Sequence, residues 1–190
     1  MRCQDLNGKW LTLKDGDTYL VPDIPILEFM DDDKIIVYDF DKPWLNGHFH
    51  VSENVLKVND EIWGKISFVD RDRLRLSMKG TTNGKDTVHH TEYARLLPTA
   101  MELEKEEIEK LSYRFKWNDE EGIISFNKEP SDIDDDLAFF LENIESVLFV
   151  SIYIKGVRET VLPIRRATLK GLELYGLPDK PYVVFAPTNK

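Results

Sequence analysis

Short apolar segments, separated by turn residues, recur along the first half of the chain. Ile, Val, Phe, Tyr and Leu cluster at intervals of roughly 8 to 12 residues, a spacing typical of an antiparallel β-sandwich or barrel. The pattern predicts strands near residues 10–13, 25–30, 35–40, 47–52, 55–59, 61–69, 73–80 and 87–97. The connections between them are short, which favours an up-and-down meander. A meander of about eight strands removes its exposed edges by closing into a barrel.

Period-two alternation along the middle strands predicts which side chains face the interior of this barrel. The apolar positions of the inner face are Leu56, Val58, Ile62, Ile66, Phe68, Leu74, Leu76 and Met78. The basic residues between them fall on the outer face, and by the same count Trp63 also faces outward. Because the predicted strands have only about five to nine residues, the barrel should be shallow, and its own side chains could fill it.

The first and last predicted strands carry a possible aromatic–cation pair. In a closed meander these two strands are neighbours, so Trp10 should lie beside Arg95. A guanidinium stacked on an indole face gains about 1 to 2 kcal/mol when it is partly desolvated. We therefore predict that Trp10 and Arg95 are in contact.

Gly8 and Trp10 on the first strand, with Arg95 on the last, resemble the signature shared by the lipocalin and calycin families. The stretch from "LNGKW" to "EYARLLP", residues 6–97, is similar in particular to the compact lipocalin-like domains of bacteria. The resemblance implies a lipocalin-like antiparallel up-and-down barrel and a protein that binds a small molecule without catalysing a reaction. It covers about half of the chain.

The pattern becomes helical from Thr99 onward. Thr99 with Glu102 predicts a capping box at the start of one amphipathic helix over 99–111. The sequence therefore predicts three parts: a lipocalin-like β-barrel at residues 1–98, a linker helix at 99–112 and a second domain at 113–190.

The second domain is predicted to be a small α+β domain. "YRFKWNDEEGIISFN" is typical of a hairpin, and "SDIDDDLAFFLENI" predicts a helix capped by Ser131. The inward-facing side chains of that helix would be Ile133, Leu137, Phe140, Leu141 and Ile144. Strands return with "SVLFVSIYIKGVRETVLPIRRAT", turned at Lys155–Gly156, and with "LELYG" and "YVVFAP". This order predicts helices packed on an antiparallel sheet, and we identify no family resemblance for this half.

Charge and cysteine content limit the possible partners and compartments. The net charge of −10 argues against nucleic acid and anionic membranes, which bind clustered Lys and Arg. Cys3 is the single cysteine and cannot form an internal disulfide, and no apolar run reaches the roughly 18 residues of a membrane-spanning helix. Residues 1–20 lack the apolar stretch of a signal peptide. We expect a cytoplasmic protein, with a cell-envelope lipoprotein whose signal precedes Cys3 as the alternative.

Candidate chemistry is sparse. His48 and His50 share a strand face and, with His89 or His90, have a spacing compatible with zinc. However, both lie opposite the apolar Phe49 in the alternation, which predicts that they face solvent. The sequence carries no nucleophile motif, no Gly-rich phosphate loop and no isolated pair of carboxylates. We therefore expect no metal, no cofactor and no enzymatic activity.

Two functions remain open. The first is binding of a small apolar or amphipathic ligand at one end of the barrel, with aromatic and polar candidates Tyr38, Phe40, Trp44, Phe49, His90 and Tyr93. Trp44 is expected on a rim loop, and Tyr93 with Arg95 could hold a carboxylate, as an Arg–Tyr pair does in the related fatty-acid-binding barrels. The second function is a protein-interaction module, inhibitor or immunity-like, that uses an acidic surface against a basic partner.

Overall fold

A computed structural model describes residues 6–19, 26–39, 42–82, 84–117, 120–126, 137–177 and 180–188. The chain divides into two compact units, with a boundary between Leu96 and Leu97. Both units are built mainly from β-strands, and each is described separately below.

The first unit is a closed antiparallel barrel of eight strands, to which a short strand is added. Its strands are β1 (Gly8–Asp15), the short β2 (Thr18–Tyr19), β3 (Ile26–Phe29), β4 (Lys34–Asp39), β5 (Lys42–Ser52), β6 (Val55–Val58), β7 (Glu61–Asp70), β8 (Arg73–Thr82) and β9 (Lys85–Leu96). Sequential strands pair from β3 to β9, and β1 pairs with both β3 and β9, which closes the barrel. The short β2 pairs only with β1. The up-and-down barrel predicted from the sequence is therefore confirmed.

The barrel is deeper than its sequence predicted. β5, β7, β8 and β9 contain 11, 10, 10 and 12 residues respectively. Its interior is a cluster of buried side chains: Leu6, Trp10, Leu27, Phe29, Ile35, Val37, Phe49, Leu56, Val58, Ile66, Leu74, Leu76 and Tyr93. The rings of Phe29 and Phe49 meet edge to face, with centroids 4.9 Å apart. Aromatic and branched side chains thus form a packed core inside the barrel.

A β-bulge in β7 reverses one part of the predicted inner face. Leu56 pairs with Gly64 while the next residue of β6 pairs with Ile62, so Trp63 is an extra residue in the ladder. One extra residue exchanges the two faces of a strand on one side of the bulge. The predictions for these two positions were therefore wrong: Ile62 is 70% exposed, whereas Trp63 packs against the interior cluster.

The second unit is an all-β half-barrel. Its elements are β10 (Ala100–Met101), α1 (Lys105–Glu109), β11 (Ser112–Trp117), β12 (Glu120–Ser125), β13 (Leu137–Ile144), β14 (Val147–Ile154), β15 (Val157–Thr168), β16 (Gly171–Leu177) and β17 (Lys180–Pro187). The described sheet runs β12-β11-β17-β16-β15-β14-β13, with β10 parallel to β15. Ile108 of α1 is fully buried in the cluster on one face of this sheet. The predicted hairpin β11–β12 and the turn at Lys155–Gly156 are both confirmed.

The prediction of an α+β domain was wrong. The segment from Leu137 to Ile144, predicted as helix, is strand β13 and pairs with β14 along its whole length. Phe139 and Leu141 pack on one face of the sheet, while Ala138 and Phe140 are buried or half-buried on the other. A strand that is apolar on both faces gives a continuous hydrophobic run, which does not separate a helical period from a period of two. Ser131, the predicted cap, lies outside the described residues.

The linker helix predicted over 99–112 is also largely wrong, because the helix is only the five residues of α1. Its capping box is formed by Glu104 and Glu107 instead of Thr99 and Glu102. The Thr99 hydroxyl donates to the Ile164 carbonyl at 2.7 Å and accepts the Leu148 N–H at 2.8 Å. Thr99 therefore joins strands β14 and β15 and is not available to cap a helix.

Candidate functional site

One end of the barrel is sealed by a stacked tryptophan and arginine, as the sequence predicted. The Arg95 guanidinium carbon lies 4.2 Å from the ring centroid of Trp10, which is fully buried. Arg95 Nη1 donates to the Asn7 carbonyl at 2.5 Å, and its Nε lies 3.6 Å from Asp72 Oδ1. Trp10 Nε1 donates to the Leu6 carbonyl at 2.6 Å. We call this group, Leu6, Asn7, Trp10, Asp72 and Arg95, the sealed end.

Gly8 is needed at the sealed end for two reasons. Its φ of +112° lies in a region that side chains other than glycine rarely adopt. A Cβ at this position would also lie 3.3 Å from Arg95 Nη1. The Gly8-x-Trp10 pattern and Arg95 therefore form one packing unit, in which the glycine makes room for the guanidinium that covers the indole.

The opposite end of the barrel carries a polar group on β1 and β9. Asp15 at the end of β1 pairs with Thr91, and Thr91 Oγ1 donates to Asp15 Oδ1 at 3.2 Å. His89 Nε2 lies 2.5 Å from the same carboxylate oxygen. His89 and Thr91 are on the same face of β9 as Tyr93, which belongs to the interior cluster. We call Asp15, His89, Thr91 and Tyr93 the polar wall, because their side chains lie on the inner face.

A β-bulge in β1 determines that Asp15, and not Lys14, faces the interior at this wall. Thr12 pairs with Tyr93, but Lys14 pairs with Glu92, so Leu13 is an extra residue in β1. If β1 paired without the bulge, Leu13 would lie opposite Glu92, and Lys14 would lie opposite Thr91 inside the barrel. With it, Asp15 faces inward and Lys14 lies on the outer face, where its ammonium is 3.8 Å from a carboxylate oxygen of Asp17.

Tyr93, the buried member of the polar wall, has a raised pKa. Burial, and secondarily the negative charge of Asp15, raise the pKa of Tyr93 to about 12. Both causes disfavour the phenolate, so Tyr93 remains a neutral hydroxyl at physiological pH.

Apolar side chains occupy the inner face of the other strands at this end. Leu45 of β5 and Trp63 of β7 are partly buried against the interior cluster. Met78 of β8, the cross-strand neighbour of His89, is 38% exposed. Its Cγ would lie 3.1 Å from a Cβ at Gly64, so the missing side chain leaves room for Met78 beside β7. We call Leu45, Trp63 and Met78 the apolar wall, and the polar and apolar walls together the exposed end.

The structure describes five of the six ligand candidates from the sequence and places them on different faces of the barrel. Phe49 and Tyr93 are buried in the barrel interior. Tyr38 lies on the outer face, where its hydroxyl donates to Glu28 at 2.5 Å and where burial and this carboxylate raise its pKa to about 12. His90 also faces outward, 2.9 Å from the Ser77 hydroxyl.

The remaining two ligand candidates are Trp44 and Phe40. Trp44 is 62% exposed and belongs to β5 rather than to the loop that was expected. Phe40 lies outside the described residues.

Within the described ranges, the histidines of β5 face solvent. His48 and His50 are both exposed, as predicted. No set of three or more His, Cys, Asp or Glu side chains in that part of the chain is arranged to hold a metal ion. No helix there is long and apolar enough to cross a membrane.

The sequence did not identify Asp15, Thr91 or Trp63 as site residues, and it named His89 only as a possible zinc ligand. Asp15 follows a bulge and Trp63 occupies one, so a strict period of two places both residues on the wrong face. Gly64 directly after Trp63 is the one local signal, since a glycine inside a strand often marks a bulge. Comparison with known proteins adds no assignment: no family model matches the chain, and no curated protein matches it.

Proposed function

We propose that the N-terminal barrel is a lipocalin-like module that binds a small amphipathic ligand at its exposed end, without catalysis. The observation that carries this proposal is the contrast between the two walls of that end. Asp15, His89 and Thr91 offer hydrogen-bonding groups on β1 and β9, while the apolar wall lies on β5, β7 and β8. A mostly apolar site with a few convergent polar groups is typical of small-molecule binding.

The sealed end supports the same proposal. Arg95 over Trp10 and its bond to Asn7 close one end of the barrel, so a ligand has one end to approach. Gly8, Trp10 and Arg95 have the positions and contacts that the lipocalin-like signature implies. Since buried side chains fill the interior, we propose a ligand that lies across the exposed end and does not enter a deep cup.

A pair of matched variants tests the location. N-phenyl-1-naphthylamine, a neutral fluorescent probe, is titrated into wild type, Met78→Glu and Val88→Glu. Met78 is 38% exposed on the inner face, whereas Val88 is 55% exposed on the outer face of the neighbouring strand. We expect Met78→Glu to weaken probe binding by about tenfold or more, because it places a charge in the apolar wall.

Val88→Glu should bind the probe as wild type does. Thermal melting must show that both variants stay folded. Equal losses in the two variants, or no binding to the wild type, would contradict a site at the exposed end.

A protein-interaction module, inhibitor or immunity-like, is the second candidate. It is supported by the net charge of −10 and by β12, which ends the described sheet of the second unit and leaves Ile123 59% exposed. A basic partner could add a strand there. Native mass spectrometry separates the candidates: a co-purified small molecule favours the barrel site. Its absence, together with no probe binding, favours the interaction module.

A further inference from the structure

We infer that the polar part of the ligand is a cation, an alkylammonium-type group that pairs with Asp15. This inference rests on the proposed function and specifies the ligand class for the same site. The known partners of the Asp15 carboxylate are the His89 imidazole and the Thr91 hydroxyl. Neither of these groups carries a fixed positive charge, whereas an alkylammonium group does.

The basic residue next to Asp15 is directed away from the site. The bulge at Leu13 places Lys14 on the outer face, close to Asp17. Arg95, which the sequence suggested as a carboxylate-binding residue, is stacked on Trp10 at the sealed end. Two cations that could have favoured an anionic head group are therefore engaged elsewhere.

The geometry around Asp15 suits an ammonium group attached to an apolar body. Asp15 is about half-exposed, so one side of its carboxylate meets solvent while the other meets His89 and Thr91. Met78 lies directly across from His89 in the ladder, and Trp63 lies on the adjoining strand. An alkyl chain on the apolar wall would thus bring its charged end to the carboxylate.

Three probes of matched chain length test this inference. Decylammonium, decanol and decanoate, each below its micelle concentration, compete with N-phenyl-1-naphthylamine for the wild-type full chain. We expect decylammonium to bind about tenfold more tightly than decanol, as a charge-assisted hydrogen bond at a half-exposed carboxylate allows, with decanoate weakest. Asp15→Asn should remove the preference for decylammonium and keep decanol binding unchanged.

Two further variants control the result. Asp17→Asn removes the same charge from a fully exposed side chain two residues away and should keep the preference. His89→Lys neutralises Asp15 from the partner side and should abolish it, which provides a second test if Asp15→Asn does not fold. Thermal melting reports folding for each variant.

The outcomes separate the two proposals. Equal binding of the three probes, or a preference for decanoate, would overturn the cationic ligand and leave the binding site in place. A loss in Asp17→Asn equal to that in Asp15→Asn would overturn it as well, because general charge attraction would then explain the preference. Failure of all three probes and of the fluorescent probe would overturn the proposed function itself.

Discussion

Both ends of the N-terminal barrel carry a tryptophan and charged side chains, but the tryptophan is fully buried at one end and only partly buried at the other. At the sealed end, Arg95 covers the fully buried indole of Trp10 and donates to a backbone carbonyl. At the exposed end, Trp63 is only partly buried, and Asp15 and His89 are about half-exposed. The charge at the sealed end is used to stabilise the fold. The charge at the exposed end has partners that a ligand could replace.

The largest expected effect is a difference in stability between the alanine variants of two tryptophans of the barrel, Trp10 and Trp44. Trp10→Ala should lower the free energy of unfolding by about 3 to 5 kcal/mol, because it leaves a cavity in the interior cluster and exposes Arg95. Trp44→Ala is the matched control, since Trp44 is 62% exposed, and it should change the melting temperature by at most a few degrees. Urea and thermal unfolding measure both. A comparable loss in the two variants would show that the tryptophans do not differ in structural role.

Arg95 tests whether the sealed end is held by stacking. Arg95→Ala should cost about 1 to 3 kcal/mol of unfolding free energy through the loss of the indole contact and of the bond to Asn7. Arg95→Lys keeps the charge but loses the planar guanidinium, so it should recover only part of the loss. The same unfolding measurements apply. Full recovery in the lysine variant would show that charge alone closes this end.

Tyr93 gives a smaller, pH-dependent effect close to the exposed end. Its pKa in the folded protein is raised from 10.0 to about 12, so above about pH 10 the unfolded chain loses the phenolic proton while the folded chain keeps it. Stability from this group is complete below about pH 10 and falls by about 1 kcal/mol per pH unit until about pH 12.

Tyr93→Phe should therefore make stability fall less steeply with pH in urea unfolding at about pH 9, 10 and 11. Tyr38, whose pKa is also raised to about 12, keeps part of the slope in this variant. An unchanged slope would show that Tyr93 is not shielded in the way described.

The sealed end could be predicted from sequence, whereas the exposed end could not. Gly8, Trp10 and Arg95 lie where β1 and β9 pair in regular register, so strand order was sufficient to bring them together. At the other end, the extra residues Leu13 and Trp63 change which side chains face inward. The position of a bulge depends on how the paired strands hydrogen-bond to each other. The pattern of apolar residues therefore carries little information about it.

The second unit shows another limit of pattern reading. Strands β14 to β17 were predicted because turns such as Lys155–Gly156 punctuate them. β13 was not, since it is apolar on both faces and follows an acidic stretch that suits a helix start. Pairing with the following strand, here β14 across the turn at Glu145 and Ser146, makes this run a strand and not a helix.

The most direct test of the account is an amide NMR titration of the full chain with decylammonium below its micelle concentration. We expect changes in amide chemical shift only at the exposed end, at Asp15, Gly64, Met78, His89 and Thr91. The amides of Trp10 and Arg95 should remain unchanged. Shifts centred on the sealed end or on strands β11 and β12, or no shifts at saturating probe, would contradict the claim that this barrel binds its ligand between the polar and apolar walls.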